Sequence, residues 1–154
     1  VNHRDIDLWY ELWHKECDYW ADVDLNAGAT AVNHYTEDAI FDIGTPGGRY
    51  VGRPAIAGFY ERRRTGGVRT TAHLIHNFSL IGSTEQTAET RSHIVLYARQ
   101  GPAPAPSGNP GVITAATTLY GFTAEKGWLI TSRTNRVLFA KADQPTFPDP
   151  QPDS

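Results

Sequence analysis

The chain has 154 residues and a mass of 17.0 kDa, enough for one domain with a buried core of its own. Its net charge of −3 comes from interspersed acids and bases, which excludes the basic footprint of a nucleic-acid-binding or anionic-membrane-binding surface. A single cysteine, Cys17, excludes an internal disulfide. No apolar run approaches the ~20 residues of a membrane span and no signal-peptide pattern stands at Val1, so the expectation is a cytoplasmic protein without nucleic-acid or membrane partners.

Ile6, Trp9, Trp13, Cys17 and Trp20 recur at three- and four-residue intervals with Asp5, Glu11, Lys15 and Asp18 between them. This spacing predicts an amphipathic helix from about Ile6 to Asp22, with Cys17 as a buried packing residue. A second, shorter helix is predicted from Leu25 to Tyr35, capped by Asn26 and ended by Thr36-Glu37-Asp38. Ala39 to Ile43 and Arg49-Tyr50-Val51 form a predicted hairpin around Gly44-Thr45-Pro46-Gly47-Gly48. Pro54 suits the first turn of a third helix through Ile56, Phe59 and Tyr60 to about Arg64, closed by Gly66-Gly67. Arg62-Arg63-Arg64 reads as the solvated end of that helix.

Beyond Gly67 the helical spacing gives way to β-rich runs from Arg69 to Ile81, Glu85 to Arg99, Val112 to Thr123 and Trp128 to Phe139. A Pro- and Gly-rich loop over 101–111 joins the middle two. Pro145, Pro148, Pro150 and Pro152 mark 144–154 as an extended or disordered tail after a single domain over 1–143. Three helices followed by a meander of long strands predict an α+β domain, its helices packed on one face of a strongly curved, mostly antiparallel sheet that encloses a pocket.

Strict alternation on the strand from Arg69 puts Thr71, His73, Ile75, Asn77 and Ser79 on one face, and Leu74, His76, Phe78 and Leu80 on the other, read as core under the helices. On the later strands Glu89, Arg91, His93, Val95 and Tyr97 share a face, as do Leu129, Thr131, Arg133, Asn135 and Val137. Asp24, at the end of the first helix, could orient His73 and raise its basicity, and Arg133 could stabilise an enolate or a departing anion. Each has a plainer reading, Asp24 as a helix-end cap, His73 as a satisfied strand histidine, Arg133 as a sheet-surface charge, and spacing alone leaves both open. His73 and His93 lack a cysteine or a fixed ligand spacing, so no metal site is predicted. No Gly-rich dinucleotide fingerprint follows a strand, and no cofactor is predicted.

Several segments carry a family resemblance: Asp22-Val23-Asp24 at the helix end, Tyr35-Thr36-Glu37-Asp38-Ala39-Ile40-Phe41 entering a strand, Gly52-Arg53-Pro54-Ala55-Ile56 opening a helix, His73 with Asn77, and Trp128 to Arg133. In their order and spacing the chain resembles the nuclear-transport-factor-two-like superfamily over nearly all of residues 4–140. The likeness is to its SnoaL-like branch, which includes scytalone dehydratase, hexachlorocyclohexane dehydrochlorinase and bile-acid dehydratase. The resemblance implies a cone-shaped α+β barrel, with Asp24 as carboxylate partner, His73 as general base and Arg133 as anion-stabilising cation. It implies His93 as a second active-site histidine, acting as acid or orienting a water, and Tyr19 and Tyr10 as hydroxyls that polarise a carbonyl. Asn77 and Asn135, on the polar strand faces, complete the candidate substrate-binding set.

The expected activity is that of a cofactor-independent lyase, eliminating water from a small hydrophobic, cyclic metabolite. The alternatives are a polyketide cyclase or isomerase using the same dyad, and a non-catalytic small-molecule-binding or assembly module. An uncovered long-stranded face also predicts a homo-oligomer, dimer or trimer.

Overall fold

The computed structural model describes residues 3–141, so the predicted tail over 144–154 lies outside the described residues. Helix α1 spans His3–Leu25 and buries Leu8, Leu12, Glu16, Tyr19, Trp20 and Val23. The buried stripe is therefore rotated from the predicted one: Ile6 is half exposed and Cys17 only half buried. The cause is the bulk of the indoles. Trp9 and Trp13 stack on each other and meet Phe78 edge-on at the rim of the sheet, while the smaller Leu8 and Leu12 enter the core.

The predicted second helix does not form. Asn26 donates its side-chain amide to Asp22 Oδ1 (2.9 Å) instead of capping, and Asp22 Oδ2 takes the Thr30 backbone N–H (3.0 Å). Ala27 and Gly28 are left-handed, which breaks helical continuation. Gly28 also lies so close to Tyr60 that a Cβ would stand 2.3 Å from the ring. Only a 3-10 turn, Ala31–His34, remains, so the chain has two α-helices rather than three. Strand β1 (Tyr35–Asp42) starts earlier than predicted and absorbs Thr36-Glu37-Asp38, because Tyr35, Ala39 and Phe41 are buried by strand alternation.

The hairpin to β2 (Arg49–Val51) pairs Asp42 with Arg49, and Ile43 N donates to Gly48 O (2.9 Å). Helix α2 (Arg53–Thr65) has Pro54 in its first turn and buries Ile56, Phe59 and Tyr60. Strands β3 (Arg69–Ser83), β4 (Thr87–Gln100), β5 (Val112–Thr123) and β6 (Gly127–Ala140) complete a six-stranded sheet in the order β2-β1-β6-β5-β4-β3. Every pairing is antiparallel except β1 with β6. Helix α1 packs on β3 and α2 on β1 and β2, closing a space over the sheet's inner face. Among the described residues no helix is long and apolar enough to cross a membrane.

Two bulges decide which side chains enter that space. In β3 the pairing steps from His76↔His93 to Ser79↔Arg91, one extra residue, with Asn77 left-handed at φ 53°. Alternation reverses there. Thr71, His73 and Ile75 face inward before the bulge, Phe78 and Leu80 after it, and Leu74 faces out, 45% exposed, against its predicted place in the core. In β6 the step from Ile130↔Tyr120 to Ser132↔Leu119 inserts a residue, so Trp128 and Ile130 face inward before it and Arg133 and Asn135 after it.

Candidate active site

Asp24 closes the last turn of α1 beside the start of β3, and its two carboxylate oxygens take three hydrogen bonds from that strand. The His73 backbone N–H donates to Oδ2 (2.7 Å), the His73 Nδ1–H to Oδ1 (2.6 Å) and the Thr71 hydroxyl to Oδ1 (2.7 Å). Burial opposes ionisation of Asp24, but the hydrogen bonds and charge of His73 and the Thr71 hydroxyl outweigh it and hold the carboxyl below its ordinary value. An ionised carboxylate only accepts, so Nδ1 carries the ring proton and Nε2 the lone pair. The imidazole is held from above by Trp20, stacked at 4.1 Å between ring centroids. Burial pushes His73 below the ordinary histidine value; Asp24 offsets part of this, and the positive charges of Arg63 and Arg69 add to it. The ring is thus a neutral base with one fixed tautomer.

His73 forms part of the wall of a cavity between the helices and the sheet. Its other walls are mostly apolar: Trp20, Val23, Phe41, Ile43, Phe59, Ile94, Leu96 and Val112, with Tyr60, Arg63, Thr114 and Asn135 as the remaining polar side chains. Asn135 donates its Nδ2 to Asp42 O (3.0 Å), which leaves Oδ1 buried without a protein partner among the described residues. That acceptor is available to a ligand hydroxyl. Gly44, left-handed at φ 81°, passes so close to the Asn135 carbonyl that a Cβ would stand 2.3 Å away, which lets the β1–β2 turn cover this end of the cavity.

Arg133 faces inward but stands behind the cavity wall rather than in it. It is fully buried, ion-paired to Glu16, and its guanidinium lies 4.2 Å from the Tyr19 ring centroid. Burial opposes its charge, but Glu16 first and the surrounding tyrosines hold it firmly protonated. Glu16 also takes the Trp20 Nε1–H (2.9 Å) and the Tyr120 hydroxyl (3.2 Å). The hydroxyl of Tyr19 joins those of Tyr35 (2.9 Å) and Tyr60 in one buried cluster. Burial and the neighbouring Tyr19 push Tyr35 and Tyr60 well above the ordinary tyrosine value, so both stay neutral. The expected anion-stabilising Arg133 thus lies in a buried ion pair with Glu16 through Nη2, while its Nε and Nη1 are buried without a hydrogen-bond partner among the described residues.

The other candidates divide cleanly. Tyr19 lies beneath the cavity wall, touching it through Tyr60, whereas Tyr10 is mostly exposed on the outer side of α1 against His14. Asn77 and His93 share the sheet's outer face, Asn77 Nδ2 being 3.1 Å from His93 Nδ1. His93 is therefore across the sheet from His73, because β4 sends Ser92, Ile94 and Leu96 inward and His93 outward. The structure therefore places the expected second histidine, Asn77 and Tyr10 outside the cavity that His73 lines, against the expectation that they share its pocket.

Three residues of the site escaped the sequence reading. Glu16 follows Leu8 and Leu12 on the buried stripe, and a carboxylate there signals a buried cation partner. Tyr60 and Arg63 continue Ile56 and Phe59 at the helical i, i+3, i+4, i+7 positions, which points Arg63 inward while Arg62 and Arg64 diverge.

The fold recurs in known structures. A protein from Catenulispora acidiphila superimposes with a TM-score of 0.75 at 12% identity, over 88% of this chain and 95% of that one. ActVI-ORFA from Streptomyces coelicolor does so with a TM-score of 0.72 at 17% identity, over 85% and 98%. A candidate scytalone dehydratase from Novosphingobium aromaticivorans gives 0.64 at 18% identity, over 98% and 93%. At these identities the likeness is one of fold. No curated protein matches by sequence. The model of the SnoaL-like domain matches residues 15–134, which contain Glu16, Asp24, Arg63, His73 and Arg133, and the chain belongs to that family, within the NTF2-like superfamily.

Proposed function

We propose that the protein is a cofactor-independent lyase that eliminates water from a small, hydrophobic, cyclic molecule, with His73 as base and Asp24 as its orienting carboxylate. The observation that carries this reading is the 2.6 Å bond from His73 Nδ1 to Asp24 in the wall of an apolar cavity. Nε2 takes a proton from a carbon acidified by a neighbouring carbonyl. The C–H electron pair becomes the new C=C bond, the C–O bond on the adjacent carbon breaks, and the leaving hydroxide takes the proton back from the imidazolium and departs as water. Asp24 stabilises the imidazolium between these steps. Tyr60 contributes to the cavity wall, with its neutral hydroxyl bonded to Tyr19 in the buried cluster.

The same proton transfer without a leaving group would make the protein an isomerase or polyketide cyclase. Product mass separates the two readings: elimination lowers it by one water and isomerisation leaves it unchanged. The test of the dyad is His73→Ala on a substrate found by screening cyclic hydroxyketones. Turnover is expected to fall by about a hundredfold or more, and undiminished turnover would sink the proposal. A non-catalytic binding module is disfavoured by a base already in hydrogen-bond contact with its carboxylate.

A further inference from the structure

The three arginines that end α2 are splayed by the helical turn into three environments. Arg64 pairs with Glu61 and donates to Gly28 O (3.2 Å). Arg62 lies over the Tyr50 ring, 5.7 Å from its centroid. Arg63 reaches the cavity wall, where its Nη2 donates to the Thr71 hydroxyl (2.9 Å) and to Val23 O (3.4 Å).

Both acceptors of Arg63 are neutral, and among the described residues it makes no ion pair. The Asp24 carboxylate is one hydroxyl away through Thr71 and already takes three hydrogen bonds. Among the described residues, the hydrogen bonds of Arg63 are made by Nη2 alone, which leaves Nε and Nη1 uncommitted. A guanidinium held at an apolar cavity wall with uncommitted donors is an anion receptor, because an anionic oxygen there makes a charge-assisted bond to it. Arg69, nearby on β3, is also a cation; burial and Arg63 pull it down to about 10.

We propose that Arg63 is the anion-recognition residue of the cavity, and that the ligand carries one acidic oxygen, a carboxylate or an ionised enol or phenol, seated beside the His73 ring. The proposal deepens the elimination reading and rests on its taking the same cavity as the site. It moves the cationic role from Arg133, which is paired with Glu16 behind the wall, to a residue on the wall itself. Arg63 also touches Thr71, so it positions the Asp24 network while it receives the ligand.

The test uses trans-cinnamate and its uncharged partner cinnamamide, titrated into the full-length protein at pH 7 and followed at the Trp20 indole N–H resonance. Wild type is expected to bind cinnamate about tenfold or more tightly than cinnamamide. Arg63→Gln should erase the preference and Arg63→Lys should retain part of it, with the indole spectrum reporting that each variant is folded. Cinnamate, and not cinnamamide, should raise the pKa of His73. Equal affinities in wild type, a preference that survives Arg63→Gln, or no saturable cinnamate binding up to about 10 mM would each overturn the proposal. His73→Gln distinguishes the two claims: a preference retained in that variant, with turnover unaffected by His73→Ala, sinks the elimination reading and leaves the anion site standing.

Discussion

His73 titrates under two opposed influences, burial beneath Trp20 and attraction to Asp24, and burial prevails. Its pKa lies below the ordinary 6.5, so its contribution to stability is whole above that value and is lost as pH falls through the lowered one. Asp24, held below its ordinary 3.8, adds stability that persists above that value and is lost on further acidification. The acid limb of kcat/KM is therefore expected below pH 6.5, read from a pH–rate profile. Asp24→Asn should lower the His73 pKa further and cut the rate, because the imidazolium loses its counter-charge. Glu16 and Arg133 behave as a unit. Both are buried, so Glu16→Ala should cost about 3–5 kcal/mol in urea unfolding by stranding the Arg133 charge, whereas replacing both with leucine should recover most of the loss. Asp24 and His73 were legible as a chemical pair because the helix end and the strand start are unambiguous. Arg133 was legible only as an inward cation, since its partner Glu16 sits on a stripe that the larger tryptophans disguised.

Helix α2 and the long strands follow their hydrophobic periods closely, and outside the rotated stripe of α1 the errors cluster where one residue changes the phase. Asn77 in β3 and the extra residue near Thr131 in β6 each reverse the inward face, an event that strict alternation cannot anticipate. This is why Phe78 and Leu80 share a face with His73, and why Leu74 does not share theirs. The failed second helix has the same character: Gly28 and the side chain of Asp22 replace helical bonds with a turn. The left-handed Asn77 gives a direct check. Asn77→Val should lower stability by about 1–2 kcal/mol, whereas Asn77→Gly should be tolerated, as measured by thermal unfolding. Because Asn77 lies on the outer face, neither change should alter ligand binding in the cavity.

At the scale of the molecule, the sheet has two unlike faces. The inner one holds the cavity and the buried Glu16–Arg133 pair; the outer one exposes Leu74, Tyr97 and Leu119 beside His76 and His93. We propose that a further copy of the chain covers this outer face in a dimer or trimer. Sedimentation equilibrium should then give two or three times the 17.0 kDa chain mass, and Leu119→Glu should shift it to the monomer; a monomer at every concentration would contradict the assembly. Such pairing would leave the cavity intact, since its walls come from the opposite face. The fold therefore serves the chemistry by placing one imidazole between a carboxylate and an apolar space. Nitrogen-15 NMR of the His73 ring at pH 7 tests this most directly. A neutral ring protonated on Nδ1 with a bare Nε2, titrating below pH 6.5, is the predicted result, whereas an imidazolium or a proton on Nε2 would contradict the account.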